Sequence, residues 1–220
     1  MQRRVNETAT ENLAKTEINA KRRNAISQSI FHEICERFGW CASWAIWSPA
    51  SNTPKSGIAD LKFFDDANIA STIKLLHSDV IFIGLNISRD PGRQNFANFH
   101  SDNSKGQDYK LRFALEGTPY WGGYMTDIIK GVEQVSSSKL MADLRNDATI
   151  EGRNSNILLD EIQMLGSKNP LLVALGNDAH KILERNFGSR FRIVRVPHYA
   201  SYVSPQVYRD RVLAEIDRIE

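Results

Sequence analysis

The sequence predicts an α/β fold with helices on both faces of a short, mainly parallel central sheet, a three-layer α/β/α arrangement. Four apolar runs of strand length have the branched, continuous composition of strands that are buried on both faces. Segments with helical periodicity lie between the later runs and after the last one. Strands that alternate with helices are typical of βαβ units, and these units build parallel sheets.

The elements are predicted from local patterns along the chain. The apolar runs predict strands, and an aromatic segment before them predicts a strand or extended stretch; these are 42–47, 80–85, 124–130, 171–175 and 191–196. Helical periodicity predicts helices over 13–38, 157–165, 178–187 and 205–219. In the first of these helices Ile26, Ile30, Ile34 and Phe38 recur at every fourth position and are expected to share a face.

Length and composition limit the class of protein. With 220 residues, 41% hydrophobic and 25% charged, the chain predicts one globular domain over 1–220, with 1–40 as an N-terminal helical extension. Two cysteines are too few for an iron–sulfur cluster or an all-cysteine zinc site. No apolar run approaches the roughly 20 residues of a membrane span. We therefore expect a cytoplasmic protein that needs no cofactor, no metal and no membrane, and no obligate protein partner is evident.

The residues just beyond the strands are the candidate functional residues, because ligands of parallel sheets bind beyond the carboxyl ends of the strands. Asn86 comes after the first core strand in a turn-rich segment, Asp127 lies in the next strand, and His198 comes after the last. Each residue alone also has a structural interpretation, as a turn former, a strand-end acceptor or a packed histidine. Together they are expected to converge on one edge of the sheet.

Five short segments in this order resemble motifs of the uracil-DNA glycosylase superfamily. Gly84-Leu85-Asn86 is similar to the first motif, and Pro91-Gly92 and Phe99-His100-Ser101 resemble the part of the family's sequence immediately downstream of that motif. The remaining matches are Thr126-Asp127-Ile128-Ile129-Lys130, the turn within 172–183, and Pro197-His198-Tyr199-Ala200-Ser201, which resembles the second motif. The resemblance spans about 80–202. The chain departs from the family pattern at three places. Ile87 replaces a proline of the first motif, Tyr199 and Ala200 replace the proline and serine of the second motif, and Asp127 replaces an asparagine.

The resemblance implies a DNA glycosylase, an enzyme that flips one nucleotide out of DNA and hydrolyses its N-glycosidic bond to leave an abasic site. Asn86 would position the attacking water and His198 would donate to the departing base. Gly84, Leu85, Phe99 and Asp127 would bind the flipped base, Phe99 by stacking. The resemblance assigns DNA contacts to Ser88, Arg89, Tyr199 and Ser201. Asp90 is a possible base, and Lys130, Arg192 and Arg195 are possible phosphate contacts.

Asp127 bears on the identity of the base. An ionised aspartate offers only hydrogen-bond acceptors and would repel the O4 oxygen of uracil. A protonated aspartate offers one donor and one acceptor, which match N3 and the N4 amino group of cytosine. Burial can hold a carboxyl group in that protonated form. We therefore expect a cytosine-type or modified base, with antiviral defence against hypermodified phage DNA as one possible role.

Three alternatives stay open at this point. Uracil is the alternative base, which would place the enzyme in base-excision repair. A non-catalytic DNA- or nucleotide-binding protein on the same fold is an alternative of a different class. A hydrolase of free nucleosides is the third, and the formation of an abasic site in DNA distinguishes a DNA glycosylase from the other classes.

Overall fold

The computed structural model describes residues 24–87, 94–101, 103 and 105–219. Its centre is a five-stranded sheet with the strand order β1-β3-β2-β4-β5, in which only β1 runs antiparallel to its neighbour. The strands are β1 (Ser43–Trp44), β2 (His77–Asn86), β3 (Gly123–Ile129), β4 (Leu171–Leu175) and β5 (Arg192–Val196). The predicted α/β fold with a mainly parallel sheet is confirmed.

Helices pack on both faces of this sheet. Seven α-helices occur among the described residues: α1 (Gln28–Phe38), α2 (Asp66–Thr72), α3 (Tyr109–Leu115), α4 (Ser137–Asn146), α5 (Ala148–Met164), α6 (Asn177–Phe187) and α7 (Pro205–Asp217). Buried side chains of α1, α2, α4, α5 and α6 belong to one apolar cluster, and those of α3 and α7 belong to another. The two clusters are the outer interfaces of a three-layer α/β/α domain.

The alternation of side chains along β2 separates these two layers. Ile81 and Ile83 belong to the cluster of α1, α4, α5 and α6, whereas Val80 and Phe82 belong to the cluster of α3 and α7. Successive residues of a strand point to opposite faces, so Gly84 and Asn86 continue on the α3–α7 face. The candidate residues at the end of β2 therefore face the thinner of the two helical layers.

The first predicted helix begins later than its periodicity suggested. Within the described part of 13–38, Ile26 precedes the helix, and Ala25 forms an isolated β-bridge with His77. The Ser27 hydroxyl accepts a hydrogen bond from the Ile30 N–H at 3.2 Å and caps α1. The expectation of a continuous helix through Ile26 was therefore wrong, because a serine cap outweighed the apolar spacing. Residues 13–23 lie outside the described residues.

None of the helices in the described ranges is long and apolar enough to cross a membrane.

Candidate active site

One cleft opens at the carboxyl ends of the parallel strands and has a volume of about 1080 Å³. Its lining includes seven residues that the sequence singled out: Gly84, Leu85, Asn86, Phe99, Asp127, His198 and Tyr199. They come from β2, from β3 and from the loops after β2 and β5. Parallel strands place their carboxyl ends at the same edge of a sheet, which is why residues so distant in sequence meet here.

Asp127 is buried on β3, directly beside Gly84 of β2 in the parallel register. A Cβ atom on residue 84 would collide with Asp127 Oδ1, so only glycine leaves room for the carboxyl group at this position. Asp127 Oδ2 accepts a hydrogen bond from the Asn98 amide at 2.8 Å. Oδ1 lacks a hydrogen-bond partner among the described residues and belongs to a side chain that lines the cleft.

Burial raises the pKa of Asp127 to about 7. The Asn98 hydrogen bond and the charge of Lys130 act in the opposite direction, and the charge of Glu161 adds to the increase. Near neutral pH a substantial fraction of the carboxyl groups is therefore protonated. Since Oδ2 already accepts from Asn98, Oδ1 is the oxygen that can carry the proton and donate it in a hydrogen bond.

Lys130 is buried and does not line the cleft. Its ammonium group is 2.7 Å from Glu161 Oε2 and donates to the backbone carbonyl of Asp127 at 2.6 Å. Glu161 Oε1 accepts from the hydroxyls of Tyr124 and Thr126, each at 3.0 Å. The expectation that Lys130 contacts a phosphate was wrong, because this buried ion pair uses its charge internally. The network ties α5 to β3 and fixes the backbone that carries Asp127.

Phe99 forms an aromatic wall of the cleft. Its backbone has a φ of 64°, a left-handed conformation that is unusual for a bulky residue and clusters at functional sites. The Trp47 indole donates a hydrogen bond to the Phe99 carbonyl at 3.1 Å and helps to hold this conformation. The Tyr199 ring contacts the Phe99 ring edge-on, with centroids 6.5 Å apart. The resulting wall is rigid and presents a surface on which a planar ring can stack.

His198 has a defined tautomer at the rim of the cleft. Its Nδ1 accepts a hydrogen bond from the Ala200 N–H at 3.1 Å, so the proton of the neutral ring is on Nε2. The surrounding protein reduces the hydration of the ring and lowers its pKa to about 4. The ring stacks on Tyr199 with centroids 4.2 Å apart, while the residue stays accessible from solvent. At neutral pH His198 therefore offers one uncharged N–H donor to the cleft.

The Asn86 side chain is held by the backbone around it. Its amide nitrogen lies 2.9 Å from the Ile87 carbonyl, 3.0 Å from that of Val132 and 2.9 Å from that of Gln134. Only the nitrogen end of an amide can satisfy carbonyl oxygens, which fixes the orientation of the group. Oδ1 has no hydrogen bond from any described residue, and it is the acceptor that a water molecule in the cleft would meet.

The predicted DNA-contact residues are placed differently from one another. Tyr199 lines the cleft as part of the aromatic wall. Ser201 is not among the lining residues; its hydroxyl is buried, and its carbonyl accepts from the Lys110 ammonium at 2.9 Å. Its place is within the loop after β5, which does not support a phosphate contact. Ser88 and Arg89 lie outside the described residues, as do Asp90, Pro91 and Gly92.

Of the two arginines of β5, Arg195 stays a candidate for a phosphate contact. Both are solvent-exposed, but Arg192 begins the strand, at the end opposite the cleft, and donates to the Ile219 carbonyl. The Arg195 guanidinium donates to Asn177 Oδ1 at 2.7 Å, and Asn177 lines the cleft. This contact brings positive charge to the rim, near the N-terminus of α6.

Two further residues of the site were missed from the sequence. Asn98 holds the Asp127 carboxyl group, and Asp108 lines the cleft. Asn98 adjoins Phe99, which was the one available signal for it. Asp108 carries no motif, and its position depends on how the loop before α3 folds.

No three His, Cys, Asp or Glu side chains in the described part of the chain are grouped so that they could hold a metal ion. Comparisons with models of protein families, with curated proteins and with solved structures found no match to this chain.

Proposed function

We propose that the protein is a DNA glycosylase that flips a cytosine-type or modified base into this cleft and hydrolyses its N-glycosidic bond to leave an abasic site. The observation that supports this most strongly is the meeting of Asn86, Phe99, Asp127 and His198 in one cleft at the strand ends. Such a cleft offers an aromatic surface, a base-reading carboxyl group, a neutral donor and an acceptor for water. A glycosylase that acts on an extruded base can use all four.

Base recognition depends on Phe99 and Asp127. A base that stacks on Phe99 recovers part of the free energy lost on unstacking, because base–aromatic stacking contributes about 1–3 kcal/mol. A protonated Asp127 donates from Oδ1 to N3 of cytosine, and its Oδ2 has a second lone pair for the N4 amino group. Uracil presents the opposite pattern at these two atoms and is disfavoured.

The bond-breaking step uses His198 and Asn86. Water held by Asn86 Oδ1 attacks the C1′ atom as the C1′–N1 bond breaks, and the bonding electrons pass to the base. The His198 Nε2–H donates to O2 of the departing base and stabilises the negative charge that develops there. The water loses its proton to solvent and the base gains one, so the products are an abasic deoxyribose and a neutral base.

The size and lining of the cleft favour a modified base. At about 1080 Å³ the cleft is slightly larger than the roughly 300–1,000 Å³ pockets that hold drug-sized ligands, and such ligands are themselves larger than one pyrimidine. Unmodified cytosine is also a normal base of cellular DNA, and its general removal would damage the genome. A modified cytosine, as in hypermodified phage DNA, satisfies both considerations.

Two exposed apolar side chains suit an extrahelical nucleotide. Val135 lines the cleft and is 69% exposed, and Tyr202 is fully exposed in the loop after β5, four residues beyond His198. Large exposed apolar side chains commonly mark interaction surfaces. On the proposed function, Tyr202 inserts into the base stack and occupies the space that the flipped nucleotide leaves.

A non-catalytic DNA- or nucleotide-binding protein is the second candidate. One observation favours it. Residue 86 is an asparagine, and its amide group cannot accept a proton from water; the amide nitrogen is also bound to three backbone carbonyls. Uracil stays the alternative base for an active enzyme.

Incubation of the full chain with end-labelled oligonucleotides tests the proposal. Each strand carries one cytosine, 5-hydroxymethylcytosine or uracil, in single-stranded and duplex form, and alkali then cleaves any abasic site. We expect cleavage at a cytosine-type base, and its loss in His198→Ala but not in His32→Ala, a change of an exposed histidine on α1. Binding to DNA without any alkali-labile site would favour the non-catalytic candidate.

A further inference from the structure

Asp108 is a buried carboxyl group of the cleft that the mechanism above does not use. It lies immediately before α3, lines the cleft and is 5% exposed. Its Oδ2 accepts a hydrogen bond from the Ser101 N–H at 2.9 Å, and Oδ1 has no hydrogen-bond partner within the described ranges. An acceptor oxygen without a protein donor, on a side chain that lines the cleft, can accept a hydrogen bond from a ligand bound there.

Asp108 lines the same cleft as Asp127 and Tyr199. Burial is the main cause that raises the pKa of the Tyr199 phenol, and the charges of Asp108 and Asp127 add to the increase. Tyr199 in turn contacts the edge of Phe99. Asp108 therefore belongs to the part of the cleft that continues the aromatic wall on which the base stacks.

The edges of a stacked cytosine can be assigned in turn. N1 carries the sugar, O2 faces the His198 donor, and N3 with the N4 amino group faces Asp127. The remaining edge is C5–C6, and C5 is the position at which a substituent does not disturb base pairing. Asp108 is the carboxyl group of the cleft that has not been assigned to an edge of the base, and we assign it to a substituent at C5.

We propose that Asp108 is a specificity-determining residue that accepts a hydrogen bond from a hydroxyl group on a C5 substituent of the flipped cytosine. This inference rests on the proposed glycosylase function and names its substrate class, a 5-hydroxyalkylated cytosine or a larger hydroxyl-bearing derivative. A carboxyl oxygen without a protein donor accepts an O–H group well, whereas an apolar substituent would leave it unpaired.

The surroundings of Asp108 agree with a polar substituent. The loop residues before α3 that also line the cleft are Asn103, Lys105, Gly106 and Gln107, and Gln134 lines it from another segment. The side-chain amides of Asn103, Gln107 and Gln134 both donate and accept hydrogen bonds, as hydroxyl groups do. The same lining would offer little to a bulky apolar substituent.

A matched pair of substrates tests this role, because 5-methylcytosine and 5-hydroxymethylcytosine differ by one hydroxyl group. We expect wild-type protein to release 5-hydroxymethylcytosine about 10- to 100-fold faster in single-turnover assays, the range for one hydrogen bond to a charged acceptor. Asp108→Asn retains an oxygen for the Ser101 N–H but replaces the carboxylate with a neutral amide, whose hydrogen bond to a hydroxyl group is weaker. It should bring the ratio of the two rates closer to one.

Controls separate specificity from folding. Asp160→Asn changes an exposed aspartate of α5 and should leave the ratio as in wild type. Thermal melting checks that Asp108→Asn is folded, and Asp108→Ser, with a small polar side chain, replaces it if it is not. Base release by wild type with equal rates on both substrates, or an unchanged ratio in the folded variant, would overturn the role of Asp108 and leave the glycosylase proposal standing. Failure of wild type to release any base would overturn both.

Discussion

The Asp127 carboxyl group occupies the space beside Gly84 that any other residue's Cβ would fill. The two residues are register partners in the parallel pair β2–β3, and the Phe99 ring would lie 3.3 Å from the same Cβ. One glycine thus makes room for both the carboxyl group that the proposed function assigns to base reading and the ring that it assigns to base stacking.

Gly84→Ala should therefore abolish base release. The added methyl group displaces the Asp127 carboxyl, and overpacking of this kind costs about 1–3 kcal/mol of stability. Gly152→Ala in α5 is the matched control, because nothing lies within 4 Å of its Cβ position. It should stabilise the helix by roughly 0.5–1 kcal/mol with unchanged activity. Chemical denaturation and single-turnover rates measure both effects, and an active Gly84→Ala would show that Asp127 does not need its observed position.

His198→Ala should reduce the rate of base release by about 10²–10³-fold, the effect of losing one transition-state donor. The stability of the variant should change little. Among the described residues, the His198 ring takes part in one hydrogen bond, which it accepts from the Ala200 N–H. Because its pKa is about 4, wild-type activity should not show a histidine titration between pH 5 and 8. Near-normal activity of the folded variant would remove His198 from the mechanism.

Asn86→Asp should destabilise the protein, although it introduces a potential base. The new carboxylate would face the carbonyl oxygens of Ile87, Val132 and Gln134 in place of an amide donor. Its pKa should consequently be raised, so the lost stability should return as the pH falls and the carboxyl group becomes protonated. Denaturation midpoints of wild type and variant at pH 5 and pH 8 measure this, and equal midpoints at both values would contradict the described role of the amide.

Wild-type release of a cytosine-type base should decrease above pH 7. The Asp127 pKa of about 7 means that the protonated form, which donates to N3, is lost as the pH rises, by about tenfold per pH unit well above the pKa. The same raised pKa means that ionisation of Asp127 destabilises the folded state. The contribution of Asp127 to the free energy of unfolding is therefore highest below pH 4 and declines as the pH approaches 7. Asp127→Asn should remove both dependences, and a rate that is constant from pH 6 to 9 would argue against a protonated Asp127.

Tyr202→Ala should slow release from fully paired duplexes more than from single strands. Loss of one aromatic contact to bases corresponds to about 1–3 kcal/mol, and the single strand has no stack to open. Trp40→Ala removes an exposed aromatic residue just after α1, outside the loop that carries His198, and serves as the control. Equal effects on both substrates would place Tyr202 outside the flipping step.

The sheet could be predicted because its strands have a strong local signal. The β4 segment 171–175 is a continuous apolar run, and the observed strand has the same bounds. Helices α2, α3 and α4 were not predicted. α2 and α3 have seven residues each, and α3 buries the polar residues Lys110 and Arg112; α4 has ten residues but buries only Leu140 and Leu144. Their helical form depends on tertiary contacts that no periodicity reveals.

The candidate site was predictable where it lies at strand ends and not where it lies in loops. Asn86, Asp127 and His198 meet as expected because parallel topology brings such positions together. Asn98 reaches Asp127 only because the loop before Phe99 folds back over the sheet, and Asp108 enters the cleft from the loop before α3. Lys130 is the opposite case, since its partner Glu161 is 31 positions away in sequence and its burial in the ion pair is a tertiary property.

The most direct measurement compares base release by wild type and Asp127→Asn on duplexes that carry either 5-hydroxymethylcytosine or uracil. The substitution is nearly isosteric and converts a protonated carboxyl group into an amide, which matches the N3–H and O4 of uracil. The proposed function predicts alkali-labile sites at 5-hydroxymethylcytosine with wild type and at uracil with the variant. Intact strands with both folded proteins on both substrates would contradict it.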